Sequence, residues 1–112
     1  MERLAEFRAA VKRVIEEYAQ YKPSIGAIEV ETVFAEEHDH YEMLYIGWEG
    51  PKRVHGTVIH IDIRDGKIWI QHDGTSAGVA EDLVAAGIPR DLIVIGWHTP
   101  ELRKHTAYAA VE

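Results

Sequence analysis

The chain has 112 residues, with 12 Lys+Arg against 19 Asp+Glu, seven His, no Cys and a formal charge of −7. One domain over residues 1–112 fits that length and can bury roughly two-thirds of its unfolded surface, and the missing Cys excludes disulfides, thiolate zinc sites and a cysteine nucleophile. At 46% hydrophobic and 28% charged, with no apolar run near the ~18 residues of a membrane span and no leader-like start in MERLAEFRAA, a folded cytoplasmic globule without membrane contact is expected.

Leu4, Phe7, Val11, Val14, Ile15 and Tyr18 recur at helical spacing and predict an amphipathic first helix that Pro23 stops. Its other faces carry Arg3, Arg8, Lys12 and Arg13, the one group of bases that offers a DNA-binding surface. Strand-like runs follow at 27–35, 40–48, 53–64 and 67–73, rich in β-branched and aromatic residues between Gly and Pro. No Lys or Arg lies between Lys22 and Lys52, where Glu29, Glu31, Glu36, Glu37, Asp39, Glu42 and Glu49 hold a charge equal to the whole excess. Such a band suits repulsion from nucleic acid or docking to a basic partner, and solvated loop and edge-strand charge looks the same.

Asp65-Gly66 reads as a two-residue hairpin turn. Counting from it pairs Ile63 with Ile68, Ile61 with Ile70 and Ile59 with His72 on a core face, and Asp62 with Trp69 and His60 with Gln71 on the other. A four-residue loop at 49–52 places Leu44 and Ile46 on the isoleucine face and Tyr41, Met43 and Tyr45 opposite His60, Val58 and Gly56. A one-residue slip would exchange the two sets. In this register Tyr41, Met43, Tyr45, His60, Asp62, Trp69 and Gln71 form a second face needing cover, which predicts self-association, a dimer first. Gly74-Thr75-Ser76 reads as the cap of a short helix that stops at Gly87 and Pro89, and Leu92–Trp97 as a fifth strand. The predicted fold is therefore α+β and two-layered: an antiparallel four- to five-stranded sheet with an N-terminal helix and a second short helix, in the order α-β-β-β-β-α-β.

Candidate chemistry is sparse. His38-x-His40 beside Asp39 and Glu42 lacks a third ligand at convincing spacing, so no metal or other cofactor is expected. His60-x-Asp62 is a same-face pair able to act as base and partner, or to sit as a hydrogen-bonded patch. Arg103 and Lys104 near His98 and His105 form a candidate anion contact, or surface charge that anchors the tail. With no nucleophile motif, P-loop or G-x-G-x-x-G, no catalytic residue is assigned and an enzyme is not expected.

The segments Tyr18-Ala-Gln-Tyr-Lys-Pro-Ser24, Asp39-His-Tyr-Glu-Met-Leu-Tyr-Ile-Gly-Trp48, Arg53-Val-His-Gly56 and His60-Ile-Asp-Ile-Arg-Asp-Gly-Lys-Ile-Trp-Ile-Gln71 resemble the XisI family, the fdxN-element excision controlling factors. Gly74-Thr75, Gly87-Ile-Pro89, Ile93-Val-Ile-Gly-Trp-His98 and Pro100-Glu-Leu-Arg103 continue the resemblance, with His72, Trp97 and Thr99 as small departures. It implies an accessory role in excision of a DNA element, as in heterocyst differentiation of cyanobacteria, beside a site-specific recombinase and an XisH-like partner. It carries no catalytic residues. Three readings follow: docking to such a partner through Glu29, Glu31, Glu36, Glu37 and Asp39; direct DNA contact through the first helix; and a metal- or His/Asp-dependent hydrolytic activity at the sheet face.

Overall fold

A computed structural model describes residues 2–24 and 26–111; Met1, Ile25 and Glu112 of the expected 1–112 domain lie outside the described residues. Helix α1 spans Glu2–Ala19, and Phe7, Ala10, Val11, Val14 and Ile15, set three or four apart, are all buried. Strands β1 (Ala27–Ala35), β2 (His40–Glu49), β3 (Lys52–Arg64) and β4 (Lys67–Asp73) then form an antiparallel meander. Helix α2 (Val79–Ala85) leads to a 3-10 turn, the short strand β5 (Ile93–Ile95) and one last turn, α3 (Pro100–Arg103). The sheet order is β1-β2-β3-β4-β5. The predicted α+β order holds, with one refinement: β5 runs parallel to β4 and the sheet is mixed. Passage through α2 turns the connection into a crossover, which returns the next strand in the same direction.

Local turn chemistry fixes the hairpins. Asp65 (φ 51°) and Gly66 (φ 74°) both take positive φ, the type I′ requirement, and Arg64 faces Lys67 as counted. The N-cap position of α2 is Gly78, not Thr75 or Ser76; its N–H donates to Thr75 Oγ1 at 3.2 Å, and Asp73 holds the approach to the helix. Its carboxylate accepts from Thr75 N (2.8 Å), Thr75 Oγ1 (2.6 Å) and Val79 N (2.8 Å). Gly87 (φ 103°) closes the helix, with Ile88 N donating to Leu83 O at 3.1 Å.

Two β-bulges alter the predicted faces. Between β2 and β3, Leu44 still pairs with Thr57 and Ile46 with His55, but Met43 then pairs with Ile59 and Tyr41 with Ile61, leaving Val58 as the extra residue. Tyr41 and Met43 therefore share the core face with Ile59, Ile61, Ile68 and Ile70, and each is at most 1% exposed. Tyr45, half-buried, packs against the same core. These three do not belong to an interaction face, and Leu44 and Ile46 lie on the opposite side from the isoleucines. Between β3 and β4, His60 pairs with His72 instead of Gln71, and Ile59 with Asp73 instead of His72, leaving Gln71 extra.

Helices α1 and α2 cover the core face. Among the described residues the opposite face is covered only beside β4 and β5, by the C-terminal segment. There Ala109 N donates to Ile93 O at 2.9 Å, and the Arg103 guanidinium sits 5.2 Å from the Trp69 ring centroid. Among the described residues no helix is long and apolar enough to cross a membrane.

Candidate functional site

The Val58 bulge makes the most concentrated polar group in the fold. It sets His40 opposite Asp62 and Glu42 opposite His60, so four ionisable side chains share the helix-free face. Asp62 is 4% exposed and lies at the centre. Its Oδ1 lies 2.9 Å from His40 Nδ1 and 3.1 Å from His60 Nε2, while Oδ2 accepts from Arg64 Nη2 (3.1 Å) and Gln71 Nε2 (3.3 Å). Four partners use the full acceptor capacity of a carboxylate, which is how a buried charge is tolerated.

His40 is bracketed. Its other nitrogen, Nε2, lies 2.7 Å from Glu42 Oε2, and Glu42 Oε1 accepts from Thr57 Oγ1 at 2.8 Å. Only a doubly protonated ring donates to both carboxylates. The Glu42 hydrogen bond accordingly pushes His40 above its ordinary pKa against the opposing effect of burial, with Asp62 adding to the rise. The same hydrogen bond holds Glu42 below the usual carboxylate range. The His40 and His60 rings lie 4.5 Å apart between centroids.

His60, Asp62, Trp69 and Gln71 of the expected face are thus together, and Tyr41, Met43 and Tyr45 belong to the core side. His40 and Glu42 join the site although the sequence reading tied them only to His38, which is in the β1–β2 turn. Their signal lay across the strands, in the pairing of His40 with Asp62, and pairing cannot be counted past a bulge.

The other candidates separate. Arg103 is 7% exposed, and its donors are committed to the carbonyls of Ile95 (3.4 Å), Val111 (2.9 Å) and Gly96 (3.2 Å). It therefore anchors the tail and cannot serve as a surface anion contact; Lys104, half-exposed, lies 3.6 Å from Glu101. In the acidic segment, Asp39 is bound by Arg8 through two hydrogen bonds (2.7 and 3.2 Å), which hold its carboxyl below the usual range, and Glu36 by Lys12 at 3.0 Å. Glu29, Glu31 and Glu37 are exposed, the first two on the helix-free side of the edge strand β1. The acidic turn and the basic helix therefore neutralise each other in part. Arg13 lies 3.5 Å from Glu17, and the Arg3 guanidinium lies over the Phe7 ring.

Comparison with known proteins gives a consistent result. The family model described as XisI protein matches residues 1–110. A crystal structure of a XisI-like protein from Anabaena variabilis ATCC 29413 is 39% identical, with a TM-score of 0.88 over 95% of this chain and 97% of that one. A crystal structure of the fdxN element excision controlling factor XisI from the same organism is 29% identical, with a TM-score of 0.81 over 97% of this chain and 99% of that one. No curated protein matches.

Proposed function

The chain belongs to the XisI family, and from that premise we propose that it is a non-catalytic controlling factor for excision of a DNA element, acting through a protein partner of the XisH-like kind. One observation carries the choice of protein over DNA as the direct contact: Arg8 and Lys12, at the centre of the basic helix face, are spent on Asp39 and Glu36. Phosphate binding draws its affinity from cations free to displace counterions. Meanwhile the helix-free side of β1 and β2 carries Glu29 and Glu31 next to Val33 and Trp48, which are 40% and 49% exposed. An apolar strip with carboxylates along its β1 edge, and the Arg53 guanidinium over Trp48 at one end, fits a partner surface that is apolar at its centre and basic where it meets β1. The same strip suits a second copy of the chain less well, because two acidic rims repel.

Co-purification with an XisH-like protein tests the reading. E29K/E31K is expected to weaken the complex at least tenfold, and W48A to weaken it similarly. Retention of full affinity in both variants refutes docking at this face. A salt-sensitive mobility shift of DNA by the chain alone, abolished by R3A/R13A, refutes the choice of partner over DNA.

A further inference from the structure

The hydrogen-bonded polar cluster also has the donor set and convergence of a metal site. His40, His60 and Asp62 each bring one donor atom to within 4.8 Å of the other two. Asp62 Oδ1 lies 2.9 Å from His40 Nδ1 and 3.1 Å from His60 Nε2. Ligands at about 2.0–2.1 Å from a first-row divalent ion have neighbouring donors about 3.3–3.4 Å apart in a tetrahedron and about 2.8–3.0 Å apart in an octahedron. The spacing therefore suits a shared ion with little rearrangement.

The surrounding shell is also of the kind metal sites carry. A ligating imidazole normally gives its second N–H to a carboxylate, which fixes the tautomer and the ring plane. His40 has this arrangement, with Nε2 on Glu42 and Glu42 held in turn by Thr57. The non-ligating oxygen of Asp62 is held by Arg64 and Gln71. All three donors come from paired sheet strands, with no flexible loop to order. The side chains of His40 and His60 remain 33% and 28% exposed, so further coordination positions open toward solvent.

We propose that His40, His60 and Asp62 form a binding site for a borderline divalent cation of the zinc class, with Glu42 and Gln71 as positioning residues. Two imidazoles and one carboxylate suit zinc, cobalt(II) or iron(II) and disfavour calcium or magnesium, which take oxygen ligands. The open positions take water or a donor atom from a docked molecule. The site does not depend on the partner reading above, since it needs only this chain.

The test uses the full chain purified without a histidine tag and titrated with Co²⁺ and Zn²⁺. The expected result is saturable binding of one ion per chain, a visible Co²⁺ d–d spectrum and a rise in melting temperature. H60Q and H40Q are expected to abolish the spectrum, while H38Q and H105Q leave it intact. E42Q keeps every donor in place and is expected to weaken binding by roughly 10–100-fold. Circular dichroism of each variant separates lost binding from lost folding, and E42Q keeps the test decisive if a histidine variant fails to fold. Absence of saturable binding, or binding that H38Q and H105Q weaken as much as H60Q and E42Q do, overturns the site.

Discussion

Replacing Arg103 by Ala is expected to release the C-terminal segment from the sheet. The guanidinium donates to three carbonyls, and the shortest contact ties Val111 of the tail to α3 while the others reach Ile95 and Gly96 beside β5. Each hydrogen bond from a charged donor contributes about 1.5–3 kcal/mol, the long contact to Ile95 less, and the cation over Trp69 adds ~0.5–2 kcal/mol. The loss is bounded because the tail undocks and its carbonyls then meet water, so about 3 kcal/mol is a reasonable net cost. For 112 residues the unfolding entropy of ~2.1 cal/mol/K per residue makes this a fall of about 13 °C in melting temperature. Two local readouts distinguish an anchor from generic damage. The Ala109 amide, bonded to Ile93 O, loses its exchange protection. Acrylamide, which already reaches the half-exposed Trp48 and Trp97, gains Trp69. R103K keeps the charge without the fork and is expected to fall between. A cost under about 1 kcal/mol with Ala109 still protected would refute the anchor.

Both Ile-Gly-Trp motifs place glycine against a neighbouring backbone: a Cβ on Gly47 would lie 2.0 Å from Ala27 O, and one on Gly96 2.8 Å from Ile70 O. G47A and G96A are each expected to cost about 1–3 kcal/mol in denaturant melts, whereas G56A, with open space around it, is expected to be close to neutral. Tyr18 is pushed up from 10.0 to about 12, first by burial and then by its hydrogen bond to Asp82. A pKa raised on folding adds stability that is full below pH 10 and disappears as pH rises through about 12. Alkaline melts should therefore steepen in that window, and Y18F should lessen the steepening, to which the likewise raised Tyr41 and Tyr108 contribute, and remove one late phenolate absorbance step.

Most of the architecture was legible because its signals are local. The α1 periodicity, the Asp65-Gly66 turn and the Gly87 stop each depend on a few adjacent residues. The faces were legible only where pairing stays regular. Asp62 opposite Trp69 held, being three pairs from the turn, while Tyr41 and Met43 were assigned to the wrong side because a bulge intervenes. The adjacent apolar pair Val58-Ile59 was the one trace of it in the sequence. For Arg103 the two readings, anion contact and tail anchor, could not be separated for a different reason. Its partners are main-chain carbonyls, which leave no mark on residue identity.

The Val58 bulge has a consequence for how β3 responds to change. Before it, the odd-numbered residues Arg53, His55 and Thr57 point away from the helices; after it, the even-numbered His60, Asp62 and Arg64 do. The strand thus changes parity midway, and one residue acts as the hyphen between two otherwise ordinary alternations. Deleting Val58 would put the two halves in a single phase. Leu44 opposite Thr57 and Met43 opposite Ile59 would become consecutive pairs of an unbroken ladder, with Thr57 and His60 still outward and the isoleucines still inside. Both faces of the strand would be kept, and what would disappear is the local twist that the extra residue adds.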